Sequence, residues 1–357
     1  MKQYLFCIIA ALILFPGCND DDENNNNGQN SSNVVTVNYN IEQARVWSKD
    51  TVYLLPNGIK VMAALTIQAG TVIKIGAGKK IEVWEDGVIN AIGTSADTIV
   101  FTSVKDDSKG GDTNKDQQAT SPDKGDWGCI DMGYSNGSSF AYCQFSYGGN
   151  TNNYGTLHLG TGTHSVTNSL FTNNGAYVSS DFFCGALFAD NANSSTVIKH
   201  NVFFNNIVPL TIDSHISLDN SNTFHNPANS SVTNKYNGIF IHTQDIMENH
   251  VSWAETEVAF VVTYGSLEIW ENFSLTLAND VVLKFTGGAG LVLHNLNTLI
   301  NYNSAGVKFT SFKDDSLKGD TNGDGTASSP TDGDWDGIFN NAVWDYVNWA
   351  NIYYSEN

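Results

Sequence analysis

The stretch that decides the fold is LTIQAGTVIKI, residues 65–75. It is rich in Val and Ile, which favour strands, and a Gly interrupts it after a few residues. The same pattern continues outward in GKKIEV at residues 78–83 and IVFTS at residues 99–103. After residue 17, no window longer than about a dozen residues keeps the 3.6-residue period of an amphipathic helix. The sequence therefore predicts an all-β chain of short strands.

This stretch returns later in the chain as LTLANDVVLKF, residues 275–285, at an offset of 275 − 65 = 210. Three further blocks recur at a constant offset of 208. They are FTSVKDDS at 101–108 with FTSFKDDS at 309–316, GDTN at 111–114 and 319–322, and GDWGCI at 125–130 with GDWDGI at 333–338. Gap-free blocks of this kind indicate an internal repeat. The unit runs from about residue 47 to 149 and again from about 253 to 357.

A finer repeat lies between the two units. YCQFSY at 142–147, NSLFTN at 168–173 and NVFFNN at 201–206 align at steps of 26 and 33 residues. This alignment matches Phe145, Phe171 and Phe204 as the apolar residue of each copy. Steps of 20–35 residues are typical of the coils of a solenoid.

Together, these motifs resemble exported right-handed parallel β-helix repeat proteins of the pectin-lyase-like superfamily. The resemblance implies stacked coils whose Val, Ile and Phe ladders fill the core. It also implies that Asn, which occurs 43 times, occupies left-handed turns and bonds to the coils above and below. The superfamily includes lyases, hydrolases and adhesins, so the resemblance implies a fold and no particular activity.

We therefore expect a right-handed parallel β-helix of two homologous units in tandem. The first unit covers residues 34–217 and the second covers residues 253–357. Residues 218–252 form a loop or partial coil that connects the two units. The repeat leaves open whether these units form one continuous helix or two short helices packed together.

The first 33 residues predict export and anchoring. A basic start and an apolar run from Tyr4 to Phe15 are typical of a signal peptide, here residues 1–17. Pro-Gly before Cys18 resembles a lipobox, which implies that Cys18 carries lipid; simple secretion is the alternative. Residues 18–33 form an acidic, Asn-rich tether. We expect an outer-membrane lipoprotein exposed on the surface of a Gram-negative bacterium, attached to the membrane through lipid alone.

Two acidic loops interrupt the repeat, at residues 105–126 and 313–336. DTNGDG at 320–325 matches the first half of an EF-hand calcium loop, in which oxygen ligands alternate before a Gly. Neither copy is complete: Thr331 stands at position 12 of the second loop, and Gln117 replaces the Gly in the first. The sequence leaves open whether each loop binds structural calcium or is a solvated turn that binds no ion tightly. The candidate ligands are Asp320, Asn322, Asp324 and Asp332 in the second loop, and Asp112, Asn114, Asp116 and Asp123 in the first.

Charge and composition exclude other classes of partner. With 17 basic and 37 acidic residues the net charge is −20, so nucleic acid is not an expected partner. We expect a monomer. Cys129, Cys143 and Cys184 have no metal-type spacing, and we expect three buried thiols rather than a disulfide.

The catalytic residues of the known β-helix enzymes are not recognisable here. The lyases use a Lys or Arg base beside calcium-binding carboxylates, and the hydrolases use clustered Asp with His and an Arg–Lys clamp. Here Arg45 is the only arginine, and no Arg-x-Lys or His-Gly motif is present. A two-carboxylate site from Asp213 and Asp219, with His215 nearby and Lys199 and His200 one coil earlier, is the best alternative. We predict no catalytic residue.

Binding is the expected function, with glycan or another surface partner as the ligand. A polysaccharide lyase or glycoside hydrolase acting on acidic polysaccharide is the alternative, and a structural or adhesive surface protein is the second alternative. Exposed aromatic rings could stack on sugars; the candidates are Trp84, Trp253, Trp270, Trp344, Trp349, Tyr346, Tyr353 and Tyr354.

Overall fold

A computed structural model describes residues 33–84, 86–150, 154–180, 182–242 and 249–357. The signal peptide, Cys18 and nearly all of the tether lie outside the described residues. Residues 32–357 form one compact unit. Within the described ranges the only helix is a single 3₁₀ turn, Leu296–Thr298, and no helix is long and apolar enough to cross a bilayer.

Among the described residues up to 213, the structure has nineteen strands. They are β1 Asn33–Thr36, β2 Arg45–Trp47, β3 Thr51–Leu55, β4 Ile59–Val61, β5 Ala64–Ile67, β6 Val72–Ile75, β7 Ile81–Val83, β8 Val88–Ile92, β9 Ile99–Ser103, β10 Ile130–Asp131, β11 Ser139–Ala141, β12 Cys143–Ser146, β13 Leu157–His158, β14 Ser165–Thr167, β15 Leu170–Thr172, β16 Leu187–Ala189, β17 Val197–Lys199, β18 Val202–Phe204 and β19 Leu210–Asp213.

Eleven further strands follow. They are β20 Gly238–His242, β21 His250–Trp253, β22 Ala259–Val262, β23 Gly265–Ile269, β24 Ser274–Leu277, β25 Val282–Phe285, β26 Ala289–Leu293, β27 Leu299–Ile300, β28 Lys308–Ser311, β29 Gly337–Asn340 and β30 Asp345–Tyr346. Among these thirty described strands, every pairing is parallel except that of β29 with β30. The predicted all-β parallel β-helix is thus confirmed.

Each coil of the first part contributes one strand to each of three sheets. These sheets have six strands (β2, β5, β8, β11, β14, β17), seven strands (β1, β3, β6, β9, β12, β15, β18) and ten strands (β4, β7, β10, β13, β16, β19, β20, β22, β25, β28). The ten-stranded sheet runs through both sequence repeats. At the level of this sheet the two repeats are continuous, which the sequence left open.

The repeat changes face along the solenoid. Lys74 on β6 matches Lys284 on β25 in sequence, yet β6 belongs to the seven-stranded sheet and β25 to the ten-stranded sheet. The seven-stranded face ends where Thr223 bridges Val202. The chain then passes directly from β21 to β22, and a four-stranded sheet (β23, β26, β29, β30) opens after β22. Homologous loops therefore leave the solenoid at different corners.

Ladders of identical residues fill the core. Phe101, Phe145, Phe171, Phe203 and Phe224 stack with ring centroids 5.0, 4.7, 5.0 and 5.4 Å apart. This register corrects the expected match of Phe171 with Phe204. Phe203 pairs with Phe171 and is fully buried, whereas Phe204 pairs with Thr172 and points outward. A one-residue slip exchanges the two faces of a strand, so a repeat step of 32 rather than 33 residues buries the first Phe of the pair.

Asn side chains occupy both expected roles. Asn168, Asn173 and Asn205 adopt left-handed backbone with φ of 51°, 59° and 57°. A second set is buried: the amide of Asn174 donates to Asn206 Oδ1 and that of Asn206 donates to Asn234 Oδ1, both at 2.9 Å. Such a ladder satisfies polar groups that would otherwise be orphaned in the core.

Candidate functional site

The two acidic loops are fastened to the solenoid by the same set of contacts. In the first loop, Asp126 accepts from Lys105 Nζ at 2.7 Å and from Ser103 Oγ at 2.9 Å. In the second, Asp334 accepts from Lys313 Nζ and Ser311 Oγ, both at 2.7 Å. The conserved spacing of the two sequence blocks therefore encodes a clasp at the base of each loop.

The tryptophans of the two GDW motifs close these clasps from the core side. Trp127 is fully buried and Trp335 is 1% exposed. Their indole nitrogens donate to the carbonyls of Ser146 and Tyr353, each at 2.8 Å. These rings hold the loops against the solenoid and are not available to stack on a sugar.

Each loop brings three carboxylates together. One oxygen each of Asp107, Asp112 and Asp116 lies within 4.8 Å of the others, and Asp315, Asp320 and Asp324 repeat the cluster in the second loop. Four of these six are predicted ligands. Asp107 and Asp315 were missed, although both stand in the repeated KDDS block, which could have identified them.

The other predicted ligands lie in different places. Asn114 and Asn322 sit beside the clusters, where their amides donate to Asp116 Oδ2 at 2.8 Å and Asp324 Oδ2 at 3.0 Å. Asp123 instead begins a turn that Asp126 caps, because the Asp126 carboxylate accepts from the backbone amide of Asp123 at 3.0 Å. Asp332 occupies the matching turn of the second loop and is not part of its cluster.

The turn geometry of the EF-hand half-motif is present in both loops. The amide of Gly325 donates to Asp320 Oδ2 at 2.8 Å, and that of Gln117 donates to Asp112 Oδ2 at 3.0 Å. Gly325 has φ of 74° and Gln117 has φ of 55°. Gln117 therefore adopts the left-handed conformation that Gly would adopt without strain.

Several buried oxygens of the clusters have no hydrogen-bond partner. They are Asp107 Oδ1, Asn114 Oδ1 and Asp315 Oδ1. Burial, with the nearby Asp112 and Asp320, raises the pKa of Asp107 and of Asp315 respectively. Hard oxygen ligands in this arrangement fit a divalent cation such as calcium.

A second candidate site is a groove on the outer face of the ten-stranded sheet, which we call the Trp84 groove. Its volume is about 540 Å³, within the range of small-ligand sites. The walls combine two aromatic rings, three carboxylates and small apolar groups. They are formed by Met62, Glu82, Val83, Trp84, Asp86, Asp131, Gly133 and Tyr134.

The alternation of strands β4, β7, β10 and β13 places the polar groups of this face. Lys60, Glu82, Asp131 and His158 are partners on successive strands, so they form one outward row, while Ile59, Ile81, Ile130 and Leu157 form the inward row. Trp84 and Tyr134 follow β7 and β10 and are 50% and 76% exposed. Adjacent strands lie about 4.8 Å apart, so neighbouring side chains in the row can contact one ligand.

His158 is held between two carboxylates beside the groove. Its Nδ1 lies 2.9 Å from Asp131 Oδ1 and its Nε2 lies 2.7 Å from Asp190 Oδ1. Burial alone would lower the pKa of His158, but the two aspartates outweigh it and raise the pKa to about 9. Burial likewise opposes the ionisation of Asp131, yet the bond from His158 lowers the pKa of Asp131. These shifts favour the protonated form of the imidazole and the charged form of Asp131.

The two carboxylates weighed as an alternative catalytic site have separate partners. Asp213 Oδ1 lies 2.8 Å from His215 Nδ1, and Asp219 Oδ2 lies 2.9 Å from Lys199 Nζ. Asp213 is almost completely buried. Each carboxylate is thus bonded to its own basic side chain, which favours a structural role.

The remaining aromatic candidates are scattered. Trp253 is buried in the core. Trp270 stacks on His294 at 4.4 Å and Trp349 on Tyr302 at 3.9 Å. Trp344 is 78% exposed near the C-terminus. Of the predicted rings, Trp84 is the one that lines the groove with carboxylates beside it.

The three later cysteines carry no visible chemistry. Cys129, Cys143 and Cys184 are buried thiols, and burial raises the pKa of Cys143 and Cys184.

Within the described residues, the candidate sites for binding a ligand or a metal ion are therefore the Trp84 groove and the two acidic clusters. Comparison of the chain with family models, with curated proteins and with solved structures finds no match.

Proposed function

We propose that this chain is a surface-anchored, non-catalytic β-helix lipoprotein of the pectin-lyase-like type that binds glycan through the Trp84 groove. The observation that carries the proposal is the pairing of two exposed rings, Trp84 and Tyr134, with a row of carboxylates on a rigid parallel sheet. Aromatic faces bind the apolar faces of sugar rings, and carboxylates accept hydrogen bonds from hydroxyls.

The experiment is a glycan-array measurement on the full chain and on Trp84→Ala and Tyr134→Ala. We expect each substitution to reduce binding at least tenfold. The control is Trp344→Ala, because Trp344 is a surface tryptophan, 78% exposed, that lies outside the groove. Equal loss in the control, or undiminished binding by Trp84→Ala, would place the binding elsewhere.

Structural calcium in the two acidic loops is part of the proposal. The supporting observation is that two loops 208 residues apart in the repeat form the same carboxylate triad with buried, unpartnered oxygens. Calcium would satisfy these oxygens and fix each loop on its corner of the solenoid.

A hydrolase acting in the same groove is the second candidate. Glu82 and Asp131 are register partners on adjacent strands and lie on the same side of the sheet, and acid–base hydrolysis of a glycosidic bond uses a pair of carboxyl groups. Release of reducing sugar from a bound glycan, lost in Glu82→Gln, would replace the binding proposal with this one. A structural or adhesive role follows if no glycan binds.

The cellular location is proposed from the sequence. The lipobox at Cys18 and the acidic residues after it support an outer-membrane lipoprotein exposed at the cell surface. Labelling of intact cells with an antibody to the folded chain, compared with a Cys18→Ala variant, tests both lipidation and exposure.

A further inference from the structure

The charge of the Trp84 groove restricts its ligand. Glu82, Asp86 and Asp131 line it, and among the described lining residues none is basic. An exposed ring beside three carboxylates favours a cationic ligand through charge–charge and cation–π attraction.

The cations near the groove are already engaged. Lys60 Nζ lies 4.4 Å from the ring centroid of Trp84, and Lys80 Nζ lies 4.6 Å from that of Tyr154. His158 contacts Asp131 and Asp190 with its two nitrogens. A uronic acid would therefore meet like charges without a free basic partner, which costs binding energy.

Lys60 also shows that the Trp84 ring accepts an ammonium group. Trp84 remains 50% exposed with Lys60 in place, so part of its surface is accessible to a ligand. Asp131 is oriented for the same task, because His158 and the Gly133 amide, at 2.9 and 3.1 Å, both donate to its Oδ1. Orientation before binding reduces the entropic cost of capturing a ligand.

We propose that the Trp84 groove binds sugars that carry a free, protonated amine, and that it discriminates against uronic acids. The inference rests on the proposed glycan-binding function and narrows it to one substrate class. The ammonium group would contact Glu82 and Asp131, and the sugar ring would stack on Trp84.

The test is isothermal titration of the full chain with three oligosaccharides of equal length: glucosamine, N-acetylglucosamine and galacturonate oligomers. We expect the glucosamine oligomer to bind at least tenfold more tightly than its acetylated form, and the galacturonate oligomer not to bind. Glu82→Gln and Asp131→Asn should each weaken glucosamine binding about tenfold. Asp345→Asn, a change at an exposed carboxylate outside the groove, should leave it unchanged.

Each other outcome identifies what has failed. Equal affinity for the amine and its acetylated form, lost in Trp84→Ala but not in Glu82→Gln, would overturn the amine inference and leave glycan binding in place. Preferred binding of galacturonate would overturn it outright. If neither these oligomers nor any glycan on the array binds, the proposed function and the inference fail together. Glu82→Gln keeps the result interpretable if Asp131→Asn does not fold.

Discussion

Lys74 and Lys284 are equivalent residues of the two repeats, and both are completely buried beneath an acidic loop. Lys74 Nζ donates to the carbonyl of Gly111 at 2.5 Å, and Lys284 Nζ donates to that of Gly319 at 2.8 Å. Lys284 also donates to Thr321 Oγ1 at 2.7 Å. Burial lowers the pKa of both, to about 8 for Lys284, against the attraction of nearby aspartates. Each acidic cluster is thus built over an internal cation.

Calcium should raise the melting temperature of the full chain. A cation that binds the folded state at 100 times its dissociation constant adds about 2.7 kcal/mol of stability. For a chain of this size we expect a shift of several degrees. Asp320→Asn combined with Asp112→Asn should abolish the shift, because each removes one member of a triad. Differential scanning calorimetry with calcium and with EDTA provides the measurement.

The control for this experiment is Asp345→Asn, which removes an exposed carboxylate outside both loops. It should keep the full calcium shift. A melting temperature that does not respond to calcium, or a shift that survives in the double variant, would remove calcium from the proposal.

Replacing the internal lysine should strengthen cation binding at one loop only. Lys284→Met keeps an unbranched apolar stem and removes the positive charge beside Asp315 and Asp320. Loss of like-charge repulsion of about 1.4 kcal/mol would raise calcium affinity of the second loop about tenfold. Lys74→Met should do the same for the first loop. Calcium titration of both variants, each against the intact chain, measures the effect.

The opposite result would be equally informative. If Lys284→Met folds but binds calcium more weakly, the lysine orders the loop through Gly319 and Thr321 more than it repels the cation. Native hydrogen exchange in residues 313–336 would distinguish a disordered loop from an altered site.

The sequence predicted the fold because a solenoid repeats its local rules. Val, Ile and Phe at fixed steps specify inward ladders, and the repeated KDDS and GDW blocks specify the clasps that include Asp126 and Asp334. Register was harder to predict. Adjacent Phe203 and Phe204 are equivalent by residue type, and only the packing of neighbouring coils decides which one is buried.

The Trp84 groove could be predicted only in part. Trp84 was named as a sugar-stacking candidate, but nothing in the local sequence joins it to Asp131, 47 positions later (131 − 84), or to Asp190. Those contacts depend on which coils stack and in which register. The change of face between the repeats was likewise hidden, because β6 and β25 have matching sequences, VIKI and VLKF, but belong to different sheets.

The buried amide ladder should be a major source of stability. Asn206 donates to the carbonyl of Phe171 and to Asn234, and accepts from the side chain and backbone of Asn174. Asn206→Ala would leave several of these groups buried and unpaired, at a cost of about 3 kcal/mol. Asn303→Ala, at an exposed residue, is the control and should cost under about 0.5 kcal/mol. Urea unfolding of both variants tests this prediction. Equal unfolding midpoints for the two variants would show that water, or a shift of the neighbouring coils, replaces the hydrogen bonds of the ladder.

His158 should make stability depend on pH. The pKa of His158 is about 9 in the folded chain, compared with about 6.5 for an unfolded histidine. The folded state therefore binds the proton more tightly, so the stabilisation is complete below about pH 6.5 and is lost as the pH rises through 9. The difference in free energy of unfolding between the intact chain and His158→Gln should shrink by about 3 kcal/mol across this window. Urea unfolding at pH 6 and at pH 9.5 measures this change.

Buried groups with other perturbed pKa values, such as Glu255 and Lys284, are present in both chains, so their contributions cancel in the difference. His250→Gln, at an exposed histidine, is the control and should show no such change. A constant difference between the intact chain and His158→Gln at both pH values would mean that the imidazole is neutral between Asp131 and Asp190, and that it does not keep Asp131 charged in the groove.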